Sequence, residues 1–375
     1  MIMCEIINNE MLKKVNARVI AMYLPQYHPI PENDKVWGKG FTEWTNVVQA
    51  RPMFKGHYQP RIPADLGFYD LRIPEVREEQ ANLARNAGIE GFMYWHYWFG
   101  NDRMLLERPF NEVLSSGSPD FPFCLGWANH SWSTKTWTKG NALAKSQMIM
   151  EQLYPGEDDW NNHFNYCLKA FKDKRYIKVD GKPIFTIFAP LDVPNVSKFI
   201  EHWRNLAIKN GLKGIHFVGL KYGNVSVEEL LSLGFDAVNN RNMANAMRIL
   251  DGNRYFTALK FKLRKFGLIH RYDFSAFEKV LLTKEDSFEN VYPTIISGFD
   301  RTARSGKDAT VLYNCTPETF KKHVDKTIKC VQNKDNEHKI IYLMSWNEWG
   351  EGNYMEPDLK YGHGFLKALK DCLFK

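Results

Sequence analysis

Eight short apolar runs punctuate the chain, at residues 19–24, 91–95, 123–127, 184–188, 215–220, 235–238, 292–297 and 340–346. Between them lie stretches with apolar residues on one helical face, at 74–86, 160–171, 196–209, 225–233 and 317–331. Residues 74–86, for example, set Val76, Ala81 and Leu83 among charged neighbours. An apolar run of about five residues reads as a strand buried on both faces, and strands alternating with helices read as a parallel sheet. Eight such units fit an α/β fold, a closed (β/α)8 TIM barrel with long βα loops. The other arrangement with this alternation is a doubly wound sheet with a glycine-rich nucleotide loop. Neither G-x-G-x-x-G nor G-x-x-x-x-G-K-[ST] follows any of the runs, which counts against it.

In a barrel the chemistry sits where strands end. Four of these runs lead into unusual polar-aromatic clusters. The first leads to Tyr27 and His28, the second to Tyr94, Trp95 and His96, the third to Trp127, Asn129 and His130. The eighth leads to Trp346-Asn347-Glu348-Trp349-Gly350-Glu351. A long first connection, about 25–71, carries Glu43 and Trp44 and reads as a wall of the same cleft.

Glu348 and Glu351 are the candidate catalytic pair. One carboxyl can act as acid and the other as base or nucleophile at a glycosidic bond, while tryptophan faces suit a sugar ring. If the chain turns helical after Glu348, the two share a face with Cβ atoms roughly 5–6 Å apart. That is the short spacing of a retaining enzyme. The alternative is a capped helix start with solvated glutamates. Glu43 reads equally as a substrate contact or a solvated loop residue. His28, His96 and His130 lack metal-ligand spacing, so hydrogen bonding to substrate hydroxyls is favoured and no metal is expected. Asp300 and Arg301 read as an anion-binding pair or as a surface ion pair.

Composition narrows the function class. Of 375 residues 44% are hydrophobic and 25% charged, which is globular. The net charge of +7 is modest for this size and does not indicate a nucleic-acid partner. Six dispersed cysteines form no C-x-x-C pair, which fits reduced thiols in a cytoplasmic protein. Neither a signal peptide nor an apolar span of about 20 residues is seen. Residues 1–17 read as an N-terminal extension and 18–375 as one catalytic domain.

Residues 252–272 carry Arg254, Lys260, Lys262, Arg264, Lys265 and Arg271 and no acidic residue, with Phe256, Leu259, Leu263 and Phe266 at helical spacing. This is either a basic amphipathic helix that lies on an anionic membrane or, as favoured here, an outer-ring helix packed on the barrel.

The strings Tyr23-Leu24-Pro25-Gln26-Tyr27-His28, Trp37-Gly38-Lys39-Gly40-Phe41-Thr42-Glu43-Trp44 and Gly91-Phe92-Met93-Tyr94-Trp95-His96-Tyr97-Trp98 resemble the WbsX-type proteins of bacterial O-antigen and capsule gene clusters. These are also called glycoside hydrolase family 99-like. The stretch Trp346-Asn347-Glu348-Trp349-Gly350-Glu351-Gly352, with Glu356-Pro357, resembles the catalytic stretch of family 99 endo-α-mannosidases. The resemblance runs from about residue 18 to 370. It implies a retaining reaction on an α-linked surface polysaccharide, with no cofactor. Glu348 would assist the sugar's 2-hydroxyl as it attacks C1, and Glu351 would protonate the leaving oxygen and later activate water. Gly350 stands where the mannosidases usually have histidine, which leaves the sugar open. WbsX-type proteins are commonly labelled glycosyltransferases, so transfer in lipopolysaccharide biosynthesis is the alternative, and a non-catalytic glycan-binding protein the third.

Overall fold

The structure is a computed structural model. It describes residues 15–134, 147–221, 225–252, 254–263 and 269–374. The eight apolar runs form β1 Arg18–Tyr23, β2 Gly91–Trp98, β3 Phe123–Trp127, β4 Lys182–Ile187, β5 His216–Lys221, β6 Ala237–Asn240, β7 Val291–Ile296 and β8 Ile340–Met344. Each pairs in parallel with the next, and β8 returns to β1. Ile20 faces Gly91 on one side and Tyr342 on the other, so the sheet closes. This is the expected (β/α)8 barrel.

The principal helices between and after the strands are α1 Pro74–Asn86, α2 Arg108–Ser116, α3 Glu157–Phe171, α4 Val196–Lys209, α5 Val227–Ser232, α6 Phe274–Leu281, α7 Pro317–Val331 and α8 Gly364–Leu373. Local chemistry sets their starts. Thr316 accepts from the Thr319 N–H at the head of α7, with Pro317 in its first turn. Glu157, Asp158 and Asp159 occupy the first turn of α3, where exposed backbone N–H groups favour negative charge. Of the expected N-terminal extension, residues 1–14 lie outside the described residues. No described helix is long and apolar enough to cross a membrane.

Strand alternation divides the side chains between two layers. Tyr94 packs on Phe110 of α2 and His96 on His163 of α3, so these positions of β2 face the helices. Trp95 and Tyr97, of opposite parity, face the barrel mouth. The interior is partly polar: Thr186 on β4 and Tyr342 on β8 hydrogen-bond across it at 2.9 Å.

The long first connection holds two short helices, Pro31–Trp37 and Glu43–Gln49. The second of these packs behind the turn that follows β8 and buttresses it. Only Gln26 and Asn33 of this connection reach the cleft, so the expected wall is mostly a support.

Candidate active site

The chain does not become an α-helix after Glu348. Asn347–Glu348 pairs antiparallel with Asn353–Tyr354, and Trp349–Glu351 is a single 3-10 turn between them. Gly352, at φ 60°, reverses the chain in the left-handed region that glycine tolerates.

The turn still brings both carboxylates to one point. Arg304, in the short helix Thr302–Ser305 after β7, donates from Nη1 to Glu348 Oε1 at 3.0 Å and to Glu351 Oε1 at 2.6 Å. Its Nε and Nη2 donate to Glu43 Oε1 and Oε2 at 2.8 and 3.1 Å. One buried guanidinium thus joins three carboxylates, two of them at the cleft surface. Glu43 is fully buried and has no solvated role. A Cβ on Gly350 would lie 1.8 Å from Glu43 Oε1 and 3.0 Å from Arg304 Nε, so the Glu43–Arg304 pair fills the space that any side chain there would need. Gly350→Ala is therefore expected to displace this pair and lower stability by about 1–3 kcal/mol. Thermal unfolding checks this, and an unchanged melting temperature would sink it.

Aromatic and amide groups hold the turn from behind. Asn347 accepts from the Leu24 N–H at 2.8 Å and donates to the Leu24 carbonyl at 3.0 Å. The Tyr27 hydroxyl donates to the Asn347 carbonyl at 2.5 Å and accepts from the Trp349 N–H at 3.0 Å. Glu356 accepts from Trp349 Nε1 at 2.6 Å, Gln80 Nε2 at 2.6 Å and the Tyr69 hydroxyl at 2.9 Å. Burial pushes the Glu356 carboxyl up to about 7, against these bonds.

In front of the turn lies a cleft of about 610 Å³. Glu348 and Glu351 enter it with Trp95, Tyr97, His130, Trp132 and Phe188, and with Lys221, Arg241 and Arg301. The two glutamates are held differently. Burial, and then the neighbouring Glu351 charge, raise the Glu348 carboxyl. Burial also pushes on Glu351, but Arg304, with Arg301 and Arg241, outweighs it and holds that carboxyl below the usual range. The pair is thus electrostatically unequal in the empty cleft.

Of the residues singled out by sequence, Trp95, His130, Arg301, Glu348 and Glu351 line this cleft. The others stand behind it. Tyr27, Glu43, Trp44, Asn347 and Trp349 form the support of the turn, with Trp44 Nε1 donating to the Tyr69 carbonyl at 2.8 Å. Trp346 packs on Phe92. Trp127 packs on His163 and Phe199 of the helix layer, and its Nε1 donates to the Trp98 carbonyl at 2.8 Å. Asn129 ties the end of β3 to Ala189 after β4 through two 2.8 Å bonds. His28 is buried within the first connection. Tyr94 and His96 face helices because their parity on β2 is opposite to that of Trp95. A shared mouth for all these residues was the expectation, and alternation along β2 already forbade it there.

Asp300 and Arg301 also part company. Asp300 is buried, bonded to His57 and Gln59 at 2.8 Å each, and held at about 2 against the push of burial by His57 and Arg61. Arg301 instead reaches Glu351 at 3.1 Å. His96, His163 and Cys167 put three ligand-type atoms within 4.8 Å of one another. The two Nε2 atoms stand 2.9 Å apart and hydrogen-bond to each other, which is a neutral histidine pair in an aromatic core. The sequence reading gave no site role to Arg304, nor to Tyr97, Trp132, Phe188, Lys221 and Arg241 of the cleft. Tyr97 had a signal, its two-residue spacing from Trp95.

Comparison with known proteins agrees with the barrel. A "Glycoside hydrolase-like protein" superposes with a TM-score of 0.60 at 17% identity, over 95% of this chain and 94% of that one. A GH99 endo-alpha-mannosidase from Bacteroides thetaiotaomicron, solved with bis-tris-propane, superposes with a TM-score of 0.58 at 13% identity, over 95% of each chain. Two proteins from Xanthomonas campestris pv. campestris strains B100 and ATCC 33913, both called "Uncharacterized protein WxcX", are 31% identical over 360 and 369 residues. The match covers 95% of this chain, which spans about half the length of those relatives. The family model described as "Glycosyltransferase WbsX" matches residues 19–369, and the chain belongs to that family.

Proposed function

We propose that the chain is a carbohydrate-active enzyme that acts on an α-linked glycan of a bacterial surface polysaccharide, cleaving it or transferring it with retention. The observation that carries this is the carboxylate pair, Glu348 and Glu351, joined through one arginine at the mouth of a barrel. Both oxygens lie within hydrogen-bond reach of a single nitrogen, which favours the close spacing of a retaining site over the wider inverting one. Trp95, Tyr97 and Trp132 give the cleft flat apolar faces with polar edges for sugar rings.

In this reading Glu348 serves the attacking side, taking a proton from the sugar's 2-hydroxyl, and Glu351 serves the leaving oxygen. At rest the electrostatics favour the opposite proton distribution, because Arg304 and Arg301 hold Glu351 ionised. A leaving oxygen that enters between Glu351 and these arginines would loosen their hold and let Glu351 take up the pair's proton. Glu348 would then be ionised as the attack begins. The carboxylates provide the acid and base for both half-reactions, so the proposal routes no step through a metal or cofactor.

Transfer from a nucleotide- or lipid-linked donor is the second reading, and the family description favours it. A binding protein without chemistry is less favoured, because the cleft keeps both carboxylates and a buried network to position them. Incubation with the polysaccharide of the protein's own organism, with and without a sugar nucleotide, separates the readings. Shortened or rearranged chains without nucleotide support the proposal. Product only with nucleotide supports transfer from a nucleotide donor, and no product in either arm overturns cleavage and leaves a lipid-linked donor or binding alone.

A further inference from the structure

The connection from β6 to β7 carries two helices, Met243–Asp251 and Arg254–Leu263. Among the described side chains of the second, one face is more apolar than a merely solvated basic face would be. Tyr255 is 79% exposed, Phe256 57% and Leu259 49%, and Ile249 on the first helix is 49% exposed. Positions 255, 256 and 259 lie along one side of a helix. Large apolar side chains grouped in this way mark an interaction surface.

The charge around them says what covers it. Arg248, next to Ile249 in sequence, and Lys262, three residues after Leu259, are exposed. Lys260 is bonded to Asp251 and sits 5.0 Å from the centre of the Tyr272 ring, so it contributes less. By sequence, residues 252–272 hold six basic residues and no acidic one, although Arg264, Lys265 and Phe266 lie outside the described residues. A second copy of the same face would bring like charges together. An anionic lipid surface satisfies both features, because aromatic and aliphatic side chains enter the headgroup region while cations meet phosphates.

The same unit borders the candidate active site: Met243, Ala244, Asn245 and Met247 of the first helix line the cleft. We propose that this helix pair is an interfacial docking device that seats on an anionic phospholipid bilayer and brings the cleft to glycan carried at that surface. The docking stands on the exposed face alone. The choice of a surface-borne glycan rests on the functional reading above.

Co-sedimentation with vesicles tests the docking without any turnover. The purified protein should sediment at low salt with mixed phosphatidylcholine–phosphatidylglycerol vesicles, and not with phosphatidylcholine alone. Tyr255→Ser/Phe256→Ser/Leu259→Ser should abolish this while a cooperative thermal unfolding transition persists, since Tyr255 is 79% exposed and Phe256 and Leu259 about half exposed. Lys262→Glu should weaken partitioning by at least about fivefold, the effect of one cation near such a surface. No sedimentation of the parent protein overturns the proposal, as does equal sedimentation of the triple variant. A dimer that the triple variant dissolves, seen by light scattering, also overturns it and makes the face a contact between copies. Loss of catalytic activity would leave the sedimentation result standing and would remove only the choice of glycan.

Discussion

Glu348→Gln and Glu351→Gln are each expected to fold as the parent does and to lose turnover by about a hundredfold or more, since a positioned acid or base contributes roughly 10²–10⁴-fold. The amide is nearly isosteric and keeps an oxygen that can face Arg304. The two variants should then separate on a substrate whose leaving group needs no proton, such as an activated aryl glycoside that the cleft accepts. Glu351→Gln should regain part of its first-step rate there, because the missing proton is no longer required. Glu348→Gln should regain nothing, because its role lies on the attacking side. Single-turnover rates measure this directly.

The outcomes bear on the unequal pair. Recovery confined to Glu348→Gln would exchange the roles and mean that the resting proton distribution, with Glu348 raised and Glu351 lowered, persists into the reaction. Equal recovery would overturn the assignment altogether. Undiminished turnover in both would remove the pair from catalysis and leave binding, or transfer at another site, as the better account.

How much of this was legible depended on range. The eight barrel strands were visible because a strand buried on both faces is a local apolar run. Phe123–Trp127 begins and ends where its run does, while β2 runs on to Trp98 beyond the run's end at residue 95. The catalytic stretch was visible because both glutamates lie in one short segment. Its shape was not, since the sequence left open whether the chain turns helical after Glu348, where Gly350 and Gly352 allow a tight hairpin. Gly350 meets the Glu43 carboxylate, which comes from the far end of the chain. Arg304 was passed over for the same reason. Its partners lie 44, 47 and 261 residues away, and nothing local marks it. The aromatic strand ends misled differently. Their composition suggested a cleft, but most of these rings are the frame behind it. The fold spends Tyr27, Trp44 and Trp349 on fixing the turn rather than on touching a ligand.

That frame converges on Arg304, so its loss should be the most damaging single change. Arg304→Met leaves Glu43 buried without its guanidinium and sets Glu348 and Glu351 against each other without a shared donor. Removing one partner of a buried ion cluster typically costs about 3–5 kcal/mol. The cost should depend on pH, with a sign fixed by Glu351. Its carboxyl is held below the usual range in the folded protein, so it contributes stability above its unfolded value that is lost as pH falls through the folded one. The variant lacks that contribution. The stability gap between parent and variant should therefore be widest near neutral pH and narrow toward acid pH, where protonation removes the repulsion. Urea unfolding of both proteins near pH 7 and near pH 4 measures it. Arg304→Lys should fall between them, because it restores the charge but not the fork that grips Glu43 with two nitrogens. A gap that is absent at neutral pH, or that widens as pH falls, would mean that the three carboxylates do not depend on Arg304. The geometry of the candidate site would then need another source.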